Sequence, residues 1–229
     1  MSGHPLDRPV WNTLHSGWAH LAEGDGLAVR SNPDFCPFAA MVDGSSESVT
    51  ALTKMIPQQG DVWLVEADKA LTLPAGLMPS REAELVQMVA DDMIGESKPM
   101  DIIDLAEEDA AEMLALASLT KPGPFARHTN RISQFIGIKD EGRLVAMAGE
   151  RMQVPGYAEI SGVCTLPEYR GRGYAGALMR QVGRRILERG EKVFLHAYAS
   201  NAGAIGLYES LGFSIRTPIY TSIISSPAS

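Results

Sequence analysis

Apolar residues recur at helical spacing in one segment of the second half of the chain. This spacing predicts a helix from about residue 174 to Arg189, which Gly190 can terminate because glycine adopts a left-handed conformation without strain. The apolar residues of this segment lie on one face of the predicted helix: Ala175, Leu178, Met179, Val182 and Ile186.

Shorter apolar runs on both sides of this helix predict strands, and alanine- and leucine-rich runs predict two further helices. The predicted order over the second half is β-α-β-β-β-α-β-α-β. Asn201 is placed to cap the last helix. The predicted elements are strands over 100–105 and 158–166, a hairpin turning at 140–142, a strand over 192–199, helices over 106–119 and 201–212, and one or two strands over 213–225.

The first half of the chain has weaker periodicity and a different charge. Residues 1–100 carry 14 acidic and 6 basic side chains, whereas residues 101–229 carry 14 of each. Glycine, serine and proline cluster at 95–101, so we predict an N-terminal α/β region over 1–100 and a second domain over 101–229. Within the first region we expect helices over 10–22 and 45–56 and strands over 61–67 and 82–90. Its tryptophans are expected in the core or, alternatively, in a pocket wall: Trp11, Trp18 and Trp63.

Composition excludes several classes of protein. No apolar run approaches the roughly 18 residues of a membrane span, and a net charge of −8 disfavours sequence-independent binding of nucleic acid. The two cysteines, Cys36 and Cys164, are too few for a disulfide framework, and the histidines lack metal-ligand spacing. The first residues do not resemble a secretory signal. We therefore expect a cytoplasmic protein with no metal site and no membrane or nucleic-acid partner.

The stretch "EYRGRGYAGALM" (168–179) contains the pattern G-x-G-x-x-G. A dinucleotide-binding turn follows its strand directly, and an acidic residue ends the next strand. Neither requirement is met here. Residues 167–169 separate the strand from the glycines, and the strand over 192–199 ends without a carboxylate. An anion bound by the N–H groups of a helix N-terminus explains the pattern better, because glycines let a phosphate approach the backbone.

These residues resemble motif A of the GNAT superfamily of acyl-CoA-dependent N-acyltransferases. The family pattern of Arg or Gln, two residues, Gly, one residue, Gly or Ala is matched by Arg170, Gly173 and Ala175. The stretch "NAGAIGLYESLGF" (201–213) resembles motif B, about thirty residues downstream with one strand between. The resemblance covers about residues 101–229.

The resemblance implies the GNAT fold, an α/β (α+β) architecture whose mixed central sheet splays between the fourth and fifth strands, 158–166 and 192–199. It also implies acetyl-CoA, or a similar short acyl-CoA, as co-substrate. The first 100 residues resemble the N-terminal part of glycine N-acyltransferase-like proteins, a degenerate half of the same fold that would shape the acceptor pocket. The residues implied to bind acyl-CoA are Val163, Cys164, Thr165, Arg170, Gly171, Arg172, Gly173, Tyr174, Ala175, Gly176, Asn201 and Ala204.

By the same resemblance Tyr208 is the acid that protonates the leaving thiolate. For the base that assists the amine, Glu159 is the first choice and Glu150 the second. A covalent role for Cys164 is disfavoured, because the family transfers the acyl group directly. The expected acceptor is a small-molecule or peptide amine, and the protein is expected to be a monomer or homodimer. Two alternatives stay open: an acyl-CoA-binding regulatory module without turnover, and the disfavoured dinucleotide oxidoreductase.

Overall fold

The computed structural model describes residues 3–73, 77–96 and 98–225. Residue 97 of the predicted boundary segment 95–101, and residues 1 and 2 of the N-terminal segment, lie outside the described residues. The strands are β1 Ala22–Gly24, β2 Ala28–Ser31, β3 Ala39–Met41, β4 Asp61–Glu66, β5 Arg81–Ala90, β6 Ile103–Asp104, β7 Ile136–Asp140, β8 Arg143–Val154, β9 Tyr157–Thr165, β10 Lys192–Tyr198 and β11 Ser214–Ser225. The α-helices are α1 Pro9–Leu14, α2 Ser46–Met55, α3 Ala110–Thr120, α4 Tyr174–Glu188 and α5 Ala202–Ser210.

A mixed eight-stranded sheet in the order β4-β11-β5-β10-β9-β8-β7-β6 forms the centre of the molecule. It confirms the predicted α/β class. Its strands come from both sides of residue 100, because β4 and β5 belong to the first 100 residues. The division into two domains stays a prediction, as does the likeness of the first part to a degenerate half-fold.

Strands β9 and β10 run parallel but pair over only three positions. The pairs join 157–159 to 192–194. Beyond them β9 continues to Thr165 beside β8, and β10 continues to Tyr198 beside β5. The backbone groups of the later residues of β9 that face β10 therefore have no ladder partner there. We call the space between the two strands beyond these three pairs the gap, and the splaying of the sheet there stays a prediction.

The core has two main layers, one on each face of the sheet. On one face α3 and α4 bury an apolar cluster against β8 and β9, which includes Met147, Leu178 and Ile186. On the other face α1 and the segment around Phe38 cover Met152 and Phe194. Burial of this apolar area is the main favourable contribution to folding.

The first half departs from the sequence prediction at α1. The helix ends at Leu14, although the apolar pattern suggested 10–22. Gly17 follows this end at a close contact, because a Cβ built on it would lie 2.7 Å from the Cβ of Gln153 on β8. The chain passes too close to β8 for a side chain there. A separate sheet of β1, β2 and β3 was not predicted either, because strands of three or four residues carry little periodicity.

Capping and turn residues agree with the structure in both halves of the chain. Ser45 caps α2 through the N–H of Ser48, and Asn201 caps α5 through the N–H of Ala204. The hairpin between β7 and β8 turns at Glu141 and Gly142, both with positive φ. The strand predicted over 100–105 is reduced to two residues. No helix within the described residues is long and apolar enough to cross a membrane.

Candidate active site

A cavity of about 270 Å³ lies where the two halves of the chain meet, beside the gap between β9 and β10. A smaller cavity of about 50 Å³ adjoins it inside the gap. The residues that line both are Pro122, Arg151, Val163, His196 and Tyr208. The larger cavity is also lined by Phe38, Trp63, Val65 and Leu85 from the first half and by Asn201, Ala204 and Thr221 from the second.

The glycine stretch forms the entry to α4. Gly173 is the N-cap, with φ of 82°, and Gly171 has φ of 77°. A Cβ at Gly171 would meet nothing within 4 Å, so this face of the loop is open. The first backbone bond of the helix runs from the N–H of Ala177 to the carbonyl of Gly173 (3.1 Å). The N–H groups of 174–176 therefore have no intrahelical acceptor, as an anion site at a helix N-terminus requires.

The two arginines of this loop have different surroundings. Arg170 is exposed. The guanidinium of Arg172 lies 4.6 Å from the ring centre of Tyr169, whose hydroxyl donates to Asp140 (2.7 Å). Arg172 is thus held against a ring, whereas Arg170 is free to approach an anion at the loop.

The residues predicted to contact the acyl-CoA arm lie at the end of β9. Cys164 and Thr165 pair with β8 on one side, opposite Met147 and Ala146. Val163 faces both cavities. Burial raises the pKa of the Cys164 thiol to about 11, so the thiol stays protonated at neutral pH. This agrees with the view that Cys164 is a strand residue and not a nucleophile.

Helix α5 places Tyr208, Asn201 and Ala204 on the larger cavity. Burial raises the pKa of Tyr208, so its phenol keeps its proton at neutral pH. Its ring packs edge-on against Phe213, with ring centres 6.3 Å apart. Asn201 accepts the N–H of Ala204 (3.1 Å), so its side chain serves as a helix cap whatever else it contacts.

Glu159 lies fully buried at the floor of the gap, with both carboxylate oxygens occupied. Arg151 donates to it twice, from Nε and Nη2 (2.8 Å each). His196 Nδ1 lies 2.8 Å from Oε1, and the backbone N–H of Met152 donates to Oε2 (3.3 Å). Burial by itself would raise the pKa of Glu159, but the charge of Arg151 and the hydrogen bonds from Arg151 and His196 lower it below the ordinary value. Glu159 is therefore a poor general base.

A chain of side chains continues from Glu159 into the first half of the protein. Gln87 Nε2 donates to the carbonyl of Leu6 (2.9 Å), and Gln87 Oε1 accepts from Arg216 (2.5 Å). These bonds fix the orientation of the amide, so Gln87 also donates to His196 Nε2 (2.9 Å). His196 then carries its proton on Nδ1 and donates it to Glu159, and neither ring nitrogen is free to act as a base.

Glu150 lies away from both cavities. Its carboxylate accepts two hydrogen bonds from Arg189, at the end of α4 (2.9 and 2.7 Å). Glu150, the second choice for the base, therefore belongs to a structural ion pair and does not line the cavities.

Sequence reasoning missed Arg151, His196 and Phe38, which shape the cavity. Arg151 lies next to Glu159 because β8 has an irregular register between Glu150 and Gln153. If the register next to the hairpin turn, where Gln153 pairs with Ala158, continued unchanged, Arg151 and Glu159 would lie on opposite faces of the sheet. No local sequence signal marks that irregularity.

The part of the chain that the structure describes contains no group of three or more His, Cys, Asp or Glu side chains that could hold a metal ion.

Comparisons with known proteins agree on one superfamily. Residues 135–221 match the family model described as "FR47-like protein". A solved structure described as a putative acetyltransferase from the GNAT family, from Novosphingobium aromaticivorans, is 43% identical. The match covers 99% of this chain and 100% of that one, with a TM-score of 0.90.

Two curated relatives match over short segments. Mycothiol acetyltransferase of Corynebacterium aurimucosum is 42% identical over 62 residues, 27% of this chain and 20% of that protein. N-alpha-acetyltransferase MAK3 of Arabidopsis thaliana is 39% identical over 74 residues, 31% of this chain and 38% of that protein. The chain thus matches well under half the length of either curated relative.

Proposed function

Because the chain belongs to the GNAT family of N-acetyltransferases, we propose that it transfers the acetyl group of acetyl-CoA to a primary amine of a small molecule or peptide. One observation carries this proposal. The end of β9 that has no ladder partner on the β10 side and the phenol of Tyr208 meet at the same two cavities, and the open glycine loop begins α4, whose Met179 lines the smaller cavity.

Acetyl-CoA fits the groups present. The N–H groups of 171–176 suit a pyrophosphate, and Arg170 adds positive charge. The main-chain groups of 163–165 that face the gap suit an extended pantetheine arm, because they have no ladder partner on the β10 side. Asn201 and Ala204 line the larger cavity together with Val163.

In the proposed reaction the lone pair of a neutral amine attacks the thioester carbonyl carbon. The C–S bond breaks, and Tyr208 donates its proton to the leaving sulfur. The amine nitrogen loses one proton to water, from which Tyr208 is reprotonated. The raised pKa of Tyr208 suits a group that must arrive protonated.

The structure changes our proposal for the base. Glu159 binds four donors within the described residues and has a lowered pKa, and Glu150 lies outside the cavity. We assign Glu159 the role of holding Arg151 and His196 in place. The amine then reaches the site neutral, or loses its proton to water.

The saturated hydrogen bonding of Glu159 and His196 keeps the regulatory alternative open, since a module that senses acyl-CoA needs no base. Cytoplasmic location, the absence of nucleic-acid, membrane or metal partners, and a monomeric or homodimeric state stay predictions.

The test is calorimetric titration with acetyl-CoA and, separately, with NAD⁺, followed by release of free CoA thiol across a panel of amines. Binding of acetyl-CoA alone, with thiol release that requires an amine, would support the proposal. Binding without release for any amine would support the regulatory alternative. Binding of NAD⁺ in place of acetyl-CoA would contradict both.

A further inference from the structure

The guanidinium of Arg151 is held on one edge and one face. Its Nε and Nη2 edge meets Glu159 through two parallel hydrogen bonds of 2.8 Å. Its face lies 5.0 Å from the ring centre of Phe38, which comes from the first half of the chain. Two parallel bonds and a stacked ring fix the plane of the group.

The third nitrogen of this guanidinium, Nη1, makes no hydrogen bond within the described residues and is not among their buried unpartnered atoms. It points to the loop over 121–124, where a Cβ built on Gly123 would lie 3.5 Å from it. Gly123 has φ of 133°, so this position favours glycine. Because Arg151 lines both cavities, two N–H donors with fixed direction are available to a bound molecule.

The charges around the cavities favour an anionic group on that molecule. Among the described residues the charged ones that line the cavities are Lys121, Arg151 and Glu159. The charge of Glu159 is offset by Arg151 and fully hydrogen-bonded, which leaves an excess of one positive charge from Lys121. An acceptor with ammonium groups alone would find no free carboxylate there, whereas a carboxylate would find Nη1.

We propose that Arg151 selects acceptor amines that also carry a carboxylate, so that the substrates are free amino acids or closely similar compounds. This inference rests on the proposed acetyltransferase function. The carboxylate accepts from Nη1, and the amine of the same molecule then lies toward the gap that Tyr208 borders. Phe38 and Trp63 give the larger cavity an aromatic wall, so amino acids with apolar side chains fit it best.

The experiment compares phenylalanine with phenylalanine amide, and adds 1,4-diaminobutane as an amine without a carboxylate. We measure kcat/KM from CoA thiol release at saturating acetyl-CoA. We expect kcat/KM for phenylalanine to exceed kcat/KM for phenylalanine amide by about tenfold or more, which is the effect of one charge-assisted hydrogen bond. We expect the diamine to be poorer than the acid by at least as much.

Variant R151K keeps a positive charge beside Glu159, but lysine has no second nitrogen that could donate to a substrate carboxylate. We expect it to bring the acid-to-amide ratio near one, mainly by lowering kcat/KM for the acid. The matched control is R189K, since Arg189 makes the same two-pronged pair with Glu150 outside the cavities. It should keep the wild-type ratio. Comparing ratios between variants cancels the different basicities of the two amines.

Equal rates for acid and amide in the wild type, or an unchanged ratio in R151K, would overturn this inference while leaving the acetyltransferase proposal in place. If R151K fails to fold in a thermal melt, the wild-type ratio still decides once each rate is divided by the fraction of that amine that is neutral at the assay pH. Binding of acetyl-CoA without acetylation of any amine would overturn the proposed function and this inference with it.

Discussion

A carboxylate introduced at Gly173 should weaken acetyl-CoA binding without unfolding the protein. Gly173 is the N-cap of α4, where the pyrophosphate is proposed to bind. A Cβ at this position would meet only the methyl of Met100, at 3.7 Å, so there is room for a side chain. The variant is G173E, and G173Q is its uncharged control of the same size.

The expected effect has two parts of different origin. A non-glycine residue with φ of 82° costs about 1–2 kcal/mol of stability, the same for Glu and Gln. A charge about 4 Å from one phosphate charge costs about 1 kcal/mol at the dielectric constant of water and about 4 kcal/mol at an effective value of 20. G173E should therefore bind acetyl-CoA about 5-fold to 10³-fold more weakly than G173Q.

A second control, G190E, places the same charge beyond the other end of α4. Gly190 has φ of 80° and nothing within 4 Å of a built Cβ, so the backbone strain is matched. The 15-residue helix is about 22 Å long, well over the Debye length of ~8 Å at physiological salt. G190E should bind acetyl-CoA like the wild type.

The assay is calorimetric titration of acetyl-CoA into each variant, with thermal melts to compare stability. The affinity gap between G173E and G173Q should narrow as salt is added, because screening reduces a charge effect. Equal affinities for these two variants would refute the assignment of the pyrophosphate to this loop.

Three further changes test other parts of the structure. Y208F should lower kcat by about 10²-fold or more with KM for acetyl-CoA unchanged; an unchanged kcat would remove Tyr208 as the acid. The pKa of Glu159 is lowered in the folded state, so the stability it contributes is present above pH ~4.3 and is lost as the pH falls below that value. Urea unfolding of E159Q should therefore depend less on pH in the acid range than that of the wild type, and an identical dependence would contradict this reasoning. G17A should destabilise by ~1–3 kcal/mol in the same assay, because its Cβ would meet Gln153, whereas G26A, which meets nothing within 4 Å, should change stability by less than about 0.5 kcal/mol. Equal effects of the two glycine variants would show that Gly17 is not required by close packing.

Elements with strong local signals were predictable from the sequence. Helix α4 ends where its apolar stripe meets Gly190, and α2 begins at its serine cap. These features depend on residues within a few positions of each other, which is the range over which periodicity and capping act. The glycine loop was recognised for the same reason.

The cavity wall could not be predicted, because its members meet through long-range pairing. Phe38 reaches Arg151 across more than a hundred residues of chain, and Arg151 reaches Glu159 through an irregular strand register. From the sequence, Glu159 was the first choice for the general base. Only the structure shows that its oxygens are already occupied.

The position of β5 has a consequence for how the protein folds during synthesis. This strand pairs with β10 on one side and β11 on the other, both encoded more than a hundred residues later. A nascent chain that has left the ribosome as far as residue 100 carries β5 with neither neighbour, and two open strand edges invite pairing with other chains. Sheets closed by such distant pairs form slowly. An interior strand of the sheet is thus the second of its eight strands to be synthesised and among the last to be enclosed.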